Sequence, residues 1–86
     1  MIVKVEGWIA RRRRLRQYRD EVVVLGLIGT GTHDIAEMWR QSGMRSDRIY
    51  LALARLENRE VVVSRWGVEA RGYSRRRLYY LAGDRA

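Results

Sequence analysis

Two short amphipathic stretches, separated by only a few residues around Gly43, constrain the fold of this chain more than any other feature. In "GTGTHDIAEMWRQSG", Thr32 stands where an N-cap belongs and Asp34 falls in the positively polarised first turn. Ile35, Met38 and Trp39 supply the apolar positions, and Gly43 sits where a helix would stop. In "MRSDRIYLALARLENRE", Ser46 reads as the N-cap, Asp47 marks the helix start, and Ile49, Leu53 and Leu56 form the inward face. Two helices so closely joined have the spacing of a helix-turn-helix.

The flanking segments extend this unit. Upstream, Leu15, Tyr18, Val22, Leu25 and Ile28 recur at spacings of three and four, which predicts a first helix ending near Gly29 with these residues inward and Arg12, Arg13, Arg16 and Arg19 on its other sides. Trp8 continues that seam at heptad spacing and Arg11 interrupts it; the opening residues read equally as helix or short strand. Downstream the period changes. "VVVSRW" and "RRLYYLA" are β-branched and aromatic runs, and "GVEARGYSR" between them reads as a charged hairpin loop. Two strands alone are marginal and must pack on the helices. The expected fold is α+β, a single winged helix-turn-helix domain over 1–86: an N-terminal segment and first helix at 1–28, a second helix at 32–42, a recognition helix at 46–58 and a β-hairpin wing at 61–82.

Composition bounds the chemistry. With no cysteine and one histidine, the side chains supply no disulfide, no thiolate nucleophile and none of the usual zinc sets, so neither metal nor cofactor is expected. Glu57 and Glu60 lie near nothing that resembles a nucleophile or a phosphate loop, and no enzyme is expected. No apolar run suggests a membrane span, and the opening "MIVKVEGWIARRRR" places its basic run after its apolar one, the reverse of a secretory signal; the expectation is a cytoplasmic protein. The dominant quantity is charge. Eighteen basic residues, all but Lys4 arginine, against ten acidic ones give a net charge of +8, and so basic a small body attracts polyanions, nucleic acid first.

The placement of the arginines points to double-stranded DNA. The recognition helix should turn Asp47, Arg48, Leu51 and Arg55 outward, with Arg48 reading guanine, Leu51 meeting a thymine methyl, and Arg45 and Ser46 reaching phosphates. Arg71, Arg75 and Arg76 form a basic wing suited to the backbone or minor groove, and Arg12, Arg13 and Arg16 are possible phosphate contacts. The bland alternatives are solvated charges on a helix flank and a wet loop. His33 is expected to cap or pack near the second helix, and Trp39, Trp66 and Tyr79 to pack in the core and against the strands.

In order and spacing, "VLGLIG", "HDIAEM", "SDRIYLALARLENREVV", Trp66 and "GYSRRRLYYLA" resemble the DNA-binding domain of the PadR family of bacterial transcriptional regulators, over roughly Val22 to Ala82. The resemblance implies a sequence-specific regulator, repressor-type, bacterial or phage, with Tyr50 placed near a phosphate. The chain departs from the family pattern in lacking a glycine at Arg59 or Glu60, in His33 for tyrosine, and in Ala82 for threonine. Family members dimerise through a long C-terminal helix, for which the 86 residues leave no room; the expected substitute is a homodimer through the N-terminal segment, with Trp8, Ile9 and Leu15 as contacts. The alternative function is a winged-helix interaction module docking on an acidic partner protein.

Overall fold

The computed structural model describes residues 2–68 and 75–83. The elements are α1 (Ile2–Gly29), α2 (Ile35–Ser42), α3 (Ser46–Asn58), β1 (Val62–Val68) and β2 (Arg75–Leu81). The strands pair antiparallel from Val62 opposite Leu81 to Val68 opposite Arg75. The architecture is thus α+β, three helices followed by a two-stranded antiparallel hairpin. The opening residues, ambiguous in the sequence, are helical. At about 1.5 Å per residue, the 28 residues of α1 account for most of the molecule's 59 Å length.

One core forms where the elements meet. Val24 and Ile28 of α1, Met38 of α2, Ile49, Ala52, Leu53 and Leu56 of α3, Val62 of β1 and Tyr79 of β2 are all buried. The inward face of α3 is the expected one, with Ala52 added. The inward face of α1 is the expected one only at its end, where Ile28 is buried and Leu25 packs partly against the core. Leu15, Tyr18 and Val22 are 60%, 67% and 49% exposed, while Asp20, Glu21 and Val24 turn to the core. Apolar periodicity identifies a face without saying which way it points, and here the side that carries the two carboxylates is the one that packs.

The caps also differ from the sequence reading. Asp34, not Thr32, caps α2, its Oδ1 accepting from the Glu37 N–H at 2.8 Å; Thr32 is buried and donates its N–H to the Leu27 carbonyl at 2.9 Å. Gly43 ends α2 in the left-handed region, φ 72°, as expected. At α3, Ser46 is the first helical residue and Arg45 occupies the cap position without a side-chain bond. Trp39 and Trp66, expected in the core, are 52% and 60% exposed; Tyr79 is buried as expected. Trp66 lies beyond the core at the end of the sheet, with the Arg77 guanidinium 5.8 Å from its ring centroid. His33 packs as expected, and its ties run to β2: Nδ1–H donates to the Tyr79 carbonyl at 2.9 Å, the His33 carbonyl accepts from the Tyr79 N–H at 2.8 Å, and the ring stacks on Tyr80 at 4.3 Å.

The exit of α3 uses a side chain where a glycine is the easier solution. Glu60 has φ 62°, the one positive φ of a non-glycine residue among the described residues. The turn closes with Glu60 N–H donating to the Glu57 carbonyl at 3.0 Å and Val61 N–H to the Leu56 carbonyl at 2.9 Å. A Cβ in the left-handed region costs about 1 kcal/mol or more. Glu60→Gly should therefore stabilise the fold by about 0.5–1 kcal/mol, read as a higher urea midpoint; a lower midpoint would contradict this account of the turn.

Candidate nucleic-acid interface

Asp20 and Glu21 are the only acids between Glu6 and Asp34, and both are buried, at 5% and 7% exposure. A buried carboxylate must be paired or hydrogen-bonded, and α3 supplies the partners. Arg48 embraces Asp20 with two nitrogens, Nε at 3.1 Å from Oδ2 and a terminal nitrogen on Oδ1. Hydrogen bonding to Asp20, with the charges of Asp20 and Asp47, holds the Arg48 guanidinium above its ordinary pKa despite partial desolvation. Arg55 places Nε 3.2 Å from Glu21 Oε2 and a terminal nitrogen 3.4 Å from the Gln17 carbonyl, and Arg59 bonds Glu21 Oε1.

This corrects the outward placement of Arg48 and Arg55. Both lean back on α1, and their guanidinium groups are occupied by its carboxylates. The face that α3 does present comprises Ser46, Asp47, Tyr50, Leu51, Ala54 and Asn58, all exposed. It is mostly uncharged, with Asp47 its one acid. Arg45 stands beside its start, pairing with Asp47 at 3.3 Å. Such an exposed pair contributes little, so Arg45 can exchange Asp47 for an external anion at small cost.

The strand arginines are tied down as well. Arg76 lies in β2, not at a loop tip, and reaches Asp34 at 3.3 Å. Arg77 bonds Ser64 Oγ at 3.0 Å and Glu57 at 3.3 Å, while Ser64 donates to Glu57 at 2.8 Å, so the strand pair is laced to the end of α3. Arg75 opens β2; Arg71 lies outside the described residues.

Apart from Arg65 of β1, whose guanidinium lies 4.4 Å from the Tyr80 ring centroid, the described arginines whose side chains show no acidic partner cluster on α1. Every residue from Gly7 to Arg16 is exposed, so this half of the helix projects past the core. Arg12, Arg16 and Arg19 follow one another at successive turns on one flank, spanning about 10 Å of helix axis. Together with Trp8, Ile9, Arg13, Leu15 and Arg48 they line a groove of about 560 Å³ beside the first turn of α3. Arg12 also lies 4.8 Å from the Trp8 ring centroid. So Arg12, Arg13 and Arg16, singled out from the sequence, do share a surface; Arg19 joins them unanticipated. The seven-residue step from Arg12 to Arg19 was a legible signal for it. The chain matches no family model, no curated protein and no solved structure among those with which it was compared.

Because Arg48 satisfies Asp20, Arg48→Ala should destabilise the fold by about 1–3 kcal/mol, in contrast to the near-neutral effect of removing a solvated charge. Converting both partners, Asp20→Leu with Arg48→Met, should restore most of that loss. Chemical denaturation of Arg48→Ala, of Asp20→Leu and Arg48→Met singly, and of the double variant checks it; additive losses in the double variant would show that the two residues do not act as a pair.

Proposed function

We propose that this chain is a winged helix-turn-helix protein that binds double-stranded DNA sequence-specifically and regulates transcription, in keeping with its resemblance to the PadR family. The observation that carries the reading is the row Arg12, Arg16 and Arg19, without acidic partners among the described residues, beside the first turn of an α3 whose outer face lacks its own arginines. Affinity then comes from α1 and Arg45 on phosphates, and sequence preference from α3 in the major groove. Base reading no longer falls to Arg48. Leu51 and Ala54 suit thymine methyl groups, and Ser46 and Tyr50 offer hydroxyls to base edges or the backbone. The projecting arm gains from this arrangement too. A helix that carries Arg11 to Arg14 in succession repels itself, and a bound polyanion removes the repulsion.

Phosphate binding releases counterions, so log K falls by about 0.9 per log unit of salt for each phosphate neutralised. The triple variant Arg12→Gln, Arg16→Gln, Arg19→Gln should lower the slope by about 2–3 while its enriched duplex motif stays the same, and Leu51→Ser should alter the motif at one position with the slope intact. Selection of bound duplexes from a random pool, repeated at several salt concentrations, reads both. Retention that ignores salt, or a pool with no enriched motif, would overturn the proposal.

A further inference from the structure

We propose that the exposed apolar seam of α1, with the groove it borders beside the end of α3, is a docking surface for an acidic amphipathic helix of another protein. This goes beyond the DNA reading and does not depend on it. Trp8, Leu15 and Val22 follow one another at steps of seven, with Tyr18 and Leu25 at the intermediate positions, the pattern of a coiled-coil seam. The core leaves the seam uncovered: Trp8 is 54% exposed, and Leu15, Tyr18 and Val22 are open too. With their half-open rings, Trp8 and Tyr18 alone present on the order of 200 Å², and the whole patch reaches the few hundred Å² that mark interaction sites.

The seam continues into a groove of about 560 Å³ on the Glu21 side of α1, where Tyr18, Val22, Leu25 and Val61 supply apolar lining and Arg14 and Arg59 stand among the same walls. Glu21 is spent on Arg55 and Arg59, so the groove carries no exposed acid of its own. Arg11 sits on the seam itself. An occupant with leucine-like residues toward the seam and glutamates along its edges satisfies both features. A second copy satisfies only the first, because it would bring its own Arg11 and Arg14 against these. A flat anionic bilayer cannot enter a recessed groove.

The test uses the full chain and a labelled synthetic peptide of about four heptads with leucine at the seam positions and glutamate at the flanking ones, followed by fluorescence anisotropy. Binding should weaken with salt. It should fall about tenfold or more with Leu15→Ser/Val22→Ser, two exposed changes that spare the core, and fall likewise with Arg14→Gln. A lysine-flanked peptide should not bind, and Val22→Ser alone, which lies outside the arginine-lined groove, should weaken the peptide while its retention on duplex DNA stays unchanged, which separates this result from the DNA proposal. Equal binding of a glutamate peptide with serines at its seam positions would overturn the inference in favour of bulk charge. So would sedimentation showing a homodimer that Leu15→Ser/Val22→Ser dissolves, or binding of phosphatidylserine vesicles without binding of the peptide.

Discussion

The clasp of α1 on α3 through Asp20 and Glu21 is the constraint on which the rest of this structure depends. Two adjacent buried carboxylates on the packed side of α1 take hold of opposite ends of one helix: Asp20 holds Arg48 in its first turn, and Glu21 holds Arg55 and Arg59 at its last. Removing one partner from such a pair is costly because it leaves a buried charge behind, whereas an apolar replacement of both is not. The pairs therefore set the orientation of α3 on α1 more than they add net stability, and the apolar core of Ile49, Ala52, Leu53 and Leu56 supplies the burial.

That orientation divides the surface. On the Asp20 side, the arginines of α1 converge on the beginning of α3 and make a cationic groove. On the Glu21 side, the same helix turns an apolar seam toward the end of α3 and the start of β1. One amphipathic helix thus offers a cationic flank and an apolar one to different chemistries. The strand pair is held to this frame by polar ties, His33 to Tyr79 at the entry of α2 and Glu57 to Arg77 and Ser64 at the end of α3.

Local signals were legible and long-range ionic ones were not. The bounds of α3, its apolar face, the left-handed Gly43 and the change of period at Val62 all follow from spacing and punctuation over a few residues. The inward face of α1 was misread because its solvent side carries a seam as regular as a core face, and because Asp20 and Glu21 looked like ordinary surface acids. Their partners lie 28 and 34 residues away. A hint was present: Asp20, Val24 and Ile28 share a face at steps of four, and two adjacent acids in so basic a helix invite a specific partner. Arg48 and Arg55 were assigned outward by helical phase alone, which fixes the direction of a Cβ and not the path of a long side chain. Arg75 was read as the last loop residue, although it opens β2, because the start of a strand cannot be read through a run of charges.

Arginine side-chain Nε–H resonances, followed by NMR as a DNA duplex is added, test the central claim most directly. If α1 owns Arg48 and Arg55, their signals stay protected from solvent exchange and nearly unshifted from the free protein to the complex, while those of Arg12, Arg16 and Arg19 move. Large shifts at Arg48 or Arg55, with loss of their protection and none at the α1 row, would contradict the account.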